Sequence, residues 1–180
     1  MSLTEDQEQP MSAAQQHESQ GVAYLRRPEQ PQEEAPQTAR SRGRSPISHL
    51  RAMFDRIIDT FATDADGVFY VDHDKHNIRS TFSGDFELEG TIKTRAGALF
   101  KGKLNSAGSV IKSEGTVVID VDAEIAIDIE CEMLIVLGKH TGKAKVRGTL
   151  VNVGVIKGEY EYGALESLGT IEGTIVQIGE

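Results

Sequence analysis

Small residues recur every six positions through the second half of the chain, from about Phe82 onward. The residues on this register are Gly84, Gly90, Ala96, Gly102, Gly108, Ala126, Gly138 and Ala144, with acidic residues at Glu114, Asp120 and Glu132. A fixed internal period indicates a repeat architecture, in which each unit packs against its neighbours. Three six-residue units make eighteen residues, and Gly84, Gly102, Asp120 and Gly138 stand eighteen apart. This spacing predicts a triangular coil with about 18 residues per turn.

Between these corners apolar and polar residues alternate, as a strand buried on one side requires. Apolar residues hold the even positions from Phe86 to Leu104 and the odd positions from Val117 to Leu137. We expect one extra residue at a corner between Ile111 and Val117 to switch the parity, as a bulge does. The sequence therefore predicts an all-β fold, a short parallel β-helix over residues 63–180.

Residues 1–44 have a different composition, rich in Gln, Glu, Pro, Ser and Ala. Such a segment buries too little apolar surface to offset its chain entropy, so we predict a disordered tail. A small apolar island at residues 22–27 has two interpretations, a short binding motif or a chance grouping.

Residues 45–62 have the pattern of one short amphipathic helix, with Ser45 as a cap and Pro46 in the first turn. Its apolar residues recur at three-and-four spacing: Ile47, Leu50, Phe54, Ile57, Ile58 and Phe61. Arginines upstream of the helix are compatible with an anchor in a membrane surface. Asp55 and Asp59 would be repelled by anionic lipid, which favours packing on the solenoid or on a partner. Both interpretations stay open.

The sequence contains no pattern of catalytic or cofactor-binding residues, so we do not expect an enzyme, a cofactor or a metal. Asp72, His73, Asp74 and His76 match no standard metal spacing and are expected to form a polar loop. His140 is expected at a corner. The single cysteine, Cys131, lies on the inward parity and is expected to be a buried thiol.

Charge gives further expectations about partners and location. The chain has 19 Lys and Arg against 28 Asp and Glu, a net charge of -9, which makes nucleic acid an unlikely partner. The first residues have no basic and apolar signal pattern, which favours a cytoplasmic location. Acids between Asp120 and Glu132 lie between two coils rich in Lys and Arg, so we expect cross-coil ion pairs of at most about 1 kcal/mol each.

The strings TFSGDFELEGTIKTRAG, LFKGKLNSAGSVIKSEGTVVI and GTIEGTI resemble the bactofilins, bacterial polymer-forming cytoskeletal proteins. The resemblance covers about residues 78–180. It implies a right-handed β-helix that stacks end to end into nonpolar filaments without nucleotide, often at the inner membrane.

A solenoid without caps leaves a coil of unpaired backbone at each end, which independently favours self-association. The residues expected to carry it are Phe82, Phe86, Leu88, Ile171, Ile175, Val176 and Ile178. A structural polymer is the leading function. The alternative is a β-helical binding module that pairs through its solenoid and recruits a division or segregation partner. A hexapeptide-type acyltransferase is disfavoured, because charged residues such as Glu89 and Arg95 stand where that repeat requires an aliphatic one.

Overall fold

The structure is a computed structural model that describes residues 25–26, 46–85 and 87–179. It contains one helix, α1, Pro46–Thr60. The strands are β1 Leu25–Arg26, β2 Ala62–Thr63, β3 Val68–Tyr70, β4 Ile78–Phe82, β5 Thr91–Thr94, β6 Gly97–Phe100, β7 Lys103–Ser113, β8 Thr116–Ile119, β9 Glu124–Cys131, β10 Met133–Val136, β11 Lys139–Asn152, β12 Val155–Ser167 and β13 Thr170–Gln177. The pairings from β4 to β13 are parallel, so the predicted parallel solenoid is confirmed.

The solenoid has three strand faces, which we call A, B and C in the order that the chain visits them. Face A consists of β4, β6, β8, β10 and residues 150–152 and 165–167. Face B consists of residues 103–105, 124–126, 139–141, 155–157 and 170–172. Face C consists of β5 and residues 110–113, 128–131, 144–146, 160–162 and 175–177. Three strands per turn give the triangular coil that the six-residue period predicts.

There are about six turns, and they are shorter than predicted, about 16 residues on average. On face A, Ala98 pairs with Val117, nineteen residues later, whereas Leu134 pairs with Leu150, sixteen residues later. In the last turn the offset is fifteen, as between Tyr160 and Ile175. The estimate of 18 thus holds only near the N-terminal turns, because later corners need fewer residues.

The parity of the buried residues switches at different places from those predicted. The first switch lies between Asn105 and Val110, where the register between β7 and β9 shifts. A second separates Cys131 from Leu134, both of which belong to the inner core. Met133, Ile135 and Leu137 therefore lie on the outer side of face A, and Val121 is 44% exposed. The prediction that all odd positions from 117 to 137 face inward is thus wrong. The number of residues at a corner does not depend on the strand pattern. The alternation within one strand therefore does not predict which residues face inward after the next corner.

Close stacking of small residues forms the corner between faces A and B. A Cβ on Gly102 would lie 2.4 Å from the carbonyl oxygen of Gly84, and one on Gly138 would lie 2.2 Å from that of Asp120. Gly154 continues the stack, where a Cβ would lie 2.0 Å from the Gly138 oxygen. Neighbouring turns approach too closely here for most side chains, which explains the glycines at positions 102 and 138 of the sequence ladder.

The middle strands of face A, namely β6, β8, β10 and residues 150–152, are buried on both sides. Their inner residues belong to the solenoid core, together with inward residues of faces B and C. Their outer residues, Leu99, Val118, Ile135 and Val151, are at most 1% exposed because α1 and the β2–β3 hairpin cover them. Ile57 of α1 and Phe61, directly after the helix, form the covering layer with Phe69 and Val71 of the hairpin segment.

Two residues of the segment predicted to be a disordered tail, Leu25–Arg26, form β1. This strand pairs antiparallel with β3, because the hairpin leaves one edge of β3 open for a further strand. The rest of that prediction lies outside the described residues.

Candidate functional site: the ends of the solenoid

At the C-terminal end of the solenoid, core side chains reach the surface. β13 pairs only with β12, so its other edge has no strand partner within the described part of the chain. Ile171 stacks over Ile156, and Ile175 stacks over Tyr160. Ile156 and Tyr160 are 0% and 1% exposed, whereas Ile175 is 37% exposed. The last turn thus presents an open apolar core.

The structure separates the two pairs of residues predicted at this end. Ile171 and Ile175 continue the inward stacks, while Val176 pairs with the exposed Glu161 and is itself 50% exposed on the outer side of face C. Ile178 follows β13, is half-buried, and donates its backbone N–H to the Tyr162 carbonyl at 2.8 Å. Ile171 and Ile175 are therefore the pair that lies at the end of the core.

Phe82 and Leu88 close the core at the N-terminal end. Phe82 stacks on Phe100, with ring centroids 4.8 Å apart and ring planes 7° apart. Leu88 packs against the same core, and its backbone is held by Ser106 Oγ, which accepts its N–H, and Ser109 Oγ, which donates to its carbonyl. Phe86, also predicted here, lies outside the described residues. Both ends therefore place apolar groups where a further turn would stack.

Burial divides helix α1 into two halves. Ile57 and Phe61, the residue directly after the helix, are 2% and 7% exposed, but Ile47, Leu50 and Phe54 are 76%, 57% and 37% exposed. The packing interpretation is thus correct for the C-terminal half, where Ile58 is also partly buried against the outer layer of face A. The N-terminal half keeps an apolar stripe on its surface.

Polar contacts in the last turns of α1 indicate its direction along the solenoid. Near the end of the helix, His76 Nε2 donates to the Thr60 carbonyl at 2.8 Å, and Lys75 Nζ donates to the Asp59 carbonyl. Residues 75 and 76 precede β4 of the first turn. One helical turn earlier, Arg56 Nε lies 2.7 Å from Glu166 Oε1 of the last turn. α1 therefore runs from the last turn toward the first, and its N-terminus lies toward the C-terminal end of the solenoid.

His140 is not at a corner, contrary to the prediction. It is fully buried on the inner side of face B, in the stack between Ile125 and Ile156. Its Nε2 donates to the Ile127 carbonyl at 2.8 Å, so its Nδ1 accepts from the Tyr160 hydroxyl at 2.5 Å. Burial lowers the pKa of His140 from 6.5 to about 4, so the ring is neutral at pH 7.

Tyr160 and Asn152 are buried polar residues that sequence patterns did not identify. Tyr160 stacks over Ala144, and burial raises the pKa of its hydroxyl. Asn152 is fully buried and donates Nδ2 to Ser167 Oγ at 3.1 Å and to the Thr170 carbonyl at 3.2 Å. The sequence signal that could have identified them is a polar side chain at a position whose parity faces the core. The hydrogen bonds of both residues tie adjacent turns together, but the buried Oδ1 of Asn152 has no hydrogen-bond partner among the described residues.

Ion pairs connect successive turns on and beside the outer side of face C. As the charge pattern predicted, acids between Asp120 and Glu132 pair with basic residues of neighbouring turns: Arg147 Nε lies 3.2 Å from Glu132 Oε2, and Lys112 Nζ lies 2.7 Å from Glu130 Oε1. Two further pairs, which the prediction did not include, are Lys143 with Glu159 at 2.8 Å and Lys145 with Glu161 at 3.2 Å. These side chains are about half exposed. Asp120 was expected on a solvated acidic face, but it is only 4% exposed at the corner between faces A and B. Its Oδ2 lies 3.7 Å from Lys101 Nζ.

The loop from Asp72 to His76 forms a tight turn. Asp72 Oδ1 accepts the backbone N–H groups of Asp74 and Lys75, and the bond from Lys75 is the main cause that lowers the Asp72 pKa. Among the residues with described placement, no group of three His, Cys, Asp or Glu side chains could hold a metal ion. Cys131 is fully buried, so the predicted buried thiol is confirmed, and burial raises the pKa of the thiol to about 12.

No family model, curated protein or solved structure matches this chain. Within the described ranges, no helix is long and apolar enough to cross a membrane.

Proposed function

We propose that this protein is a structural scaffold that assembles end to end through its solenoid, without nucleotide, in the manner of the bactofilins that its repeats resemble. The observation that carries the proposal is Ile175, which continues a buried core stack and is nevertheless 37% exposed. A second subunit stacked on the last turn would bury this side chain and pair the free edge of β13.

The energetics favour contact through the ends more than through the sides. Burying an Ile side chain fully contributes roughly 1.5 to 3 kcal/mol before association costs, whereas exposed ion pairs contribute about 0 to 1 kcal/mol. Faces B and C have charged outer sides, and the outer side of face A is already covered by α1. Within the solenoid itself, the ends are therefore the surfaces where core side chains remain to be buried.

The test compares Ile175→Asp with Thr141→Asp, an exposed outer position of face B in an internal turn. Sedimentation velocity and negative-stain microscopy of the unmodified protein should give long particles without added nucleotide. Ile175→Asp should give monomers or short particles with an unchanged circular dichroism spectrum, and Thr141→Asp should assemble normally. If the Ile175→Asp variant is folded and assembles as well as the control, the proposal is wrong.

A second candidate function is a β-helical binding module that recruits a partner through α1. The exposed stripe of Ile47, Leu50 and Phe54 favours it, since a helix face of this kind fits an apolar groove or a membrane surface. Discrete dimers in the same sedimentation experiment, instead of extended particles, would favour the module. Liposome co-sedimentation of Leu50→Glu against Arg51→Glu, an exposed neighbour, tests whether the stripe contacts lipid.

A further inference from the structure

One edge of β3 receives a strand from outside the β2–β3 hairpin and is therefore a strand-addition site. β1 pairs with it antiparallel, with Leu25 opposite Phe69 and Arg26 opposite Val68, while β2 occupies the other edge. Strand addition obtains its affinity from main-chain hydrogen bonds, so an extended segment binds without needing a deep pocket. The segment that binds here belongs to the apolar island at residues 22–27.

The receiving edge is firmly held, and the incoming strand is short. Phe69 and Val71 are 7% and 5% exposed and pack with Phe61 over the outer side of face A. β1 contributes only two residues, and a net hydrogen bond contributes about 1 kcal/mol. A contact this small can exchange between chains while the hairpin stays in place.

The chain between β1 and α1 can reach more than one copy of this site. It comprises residues 27–45, nineteen residues that span at most about 65 Å when extended. It joins α1 at Pro46, toward the C-terminal end of the solenoid, whereas the hairpin follows the opposite end of the helix. Returning to its own hairpin means passing a 15-residue helix, about 22 Å long. The hairpin of a subunit stacked on this end lies at most one solenoid length beyond the contact. Because six turns spaced about 4.8 Å apart span about 24 Å, this second hairpin is also within reach of the nineteen residues.

We propose that, in the assembled protein, the edge of β3 takes Leu25–Arg26 from a neighbouring copy of the chain, so that exchanged strands tie subunits across the end contact. The partner is a second copy of this protein, and the inference rests on the proposed end-to-end assembly. The exchange is a form of domain swapping, in which each chain gives a strand and receives one.

The test uses two single-cysteine variants, Arg26→Cys and Val68→Cys, which place thiols on directly opposed residues. They are dissociated, mixed, reassembled and oxidised. Cys131 does not compete, because it is fully buried. The control mixture combines Arg26→Cys with Thr141→Cys, whose residue is exposed on face B. A non-reducing gel should show at least tenfold more disulfide-linked dimer in the first mixture than in the control.

The double variant Arg26→Cys/Val68→Cys distinguishes the remaining outcomes. Exchange predicts a ladder of linked subunits. A disulfide within single chains, in particles of normal size, would overturn the exchange and leave the end-to-end scaffold standing. The absence of any disulfide would overturn the pairing itself. Monomers in sedimentation of the unmodified protein would instead overturn the proposed function, and the exchange with it.

Discussion

Faces A and C carry the same kind of inner side chain but opposite kinds of outer side. On face A the outer residues are Leu99, Val118, Ile135 and Val151, which α1 and the hairpin cover. On face C the corresponding positions carry paired charges such as Lys112 with Glu130 and Lys145 with Glu161. The difference teaches that the solenoid core needs only one apolar side per strand, and that a second apolar side indicates a covering element.

The largest expected effect comes from placing a charge on the covered side of face A. Ile135→Asp buries an unpaired carboxylate beneath α1 and should lower the free energy of unfolding by about 4 kcal/mol or more. The matched substitution on face C is Lys145→Asp, which breaks an exposed pair and should cost no more than about 1 kcal/mol. Urea denaturation of both variants measures the difference. Similar small losses would mean that α1 does not cover face A in solution.

The inner sides of the two faces should respond alike. Leu150→Ala on face A and Ile129→Ala on face C each remove a side chain that is at most 1% exposed, and each should cost about 3 kcal/mol. The same denaturation assay tests whether the two losses agree within about 1 kcal/mol. A much smaller loss on face C would show that its strands depend on the outer ion pairs.

The inner side of face B has a polar position whose effect depends on pH. Because the pKa of His140 is lowered from 6.5 to about 4, the unfolded chain takes up a proton between these values that the folded chain does not. The stability due to the neutral ring is complete above pH 6.5 and should fall, by on the order of 2 to 3 kcal/mol, as the pH decreases to 4.

A variant without this histidine separates its contribution from that of the carboxylates. His140→Gln can still donate to the Ile127 carbonyl and accept from Tyr160, but it does not titrate. Denaturation at pH 7 and pH 4.5 should show a smaller decrease for the variant. Equal decreases would contradict the assignment of a buried neutral ring.

The smallest expected effect concerns the ion pairs on the outer side of face C. A double-mutant cycle with Lys112→Ala and Glu130→Ala should give a coupling energy of at most about 1 kcal/mol, because both side chains are about half exposed. The coupling should decrease in 1 M salt, where the Debye length is about 3 Å. A coupling that persists in high salt would indicate that these pairs help to set the register between turns.

Several features could be predicted from the sequence because they depend on short-range geometry. Gly102 and Gly138 indicate the close approach of neighbouring turns, and the alternation of apolar residues indicates strands buried on one side. The helix over Pro46–Thr60 follows from its three-and-four spacing. The open apolar groups at the C-terminal end, Ile171 and Ile175, were among the residues predicted to mediate assembly.

Other features depend on how many residues each corner contains, which short-range patterns do not encode. The shift between Asn105 and Val110 reverses which residues face inward, and the shorter later turns bring His140 within hydrogen-bond reach of Tyr160. Likewise, Met133 and Ile135 are apolar like core residues. Only the position of α1 decides that they join the layer between face A and the helix instead of the inner core of the solenoid.

The sequence by itself determined that this chain forms a parallel coil with three short strands per turn, because that result needs only the local period of small and apolar residues. The tertiary structure decided which side of each strand is covered, where the polar groups of the core meet, and which half of α1 stays exposed. Those outcomes depend on contacts between residues that are far apart in the chain, and the free energy of such contacts is set by the packing of the whole solenoid.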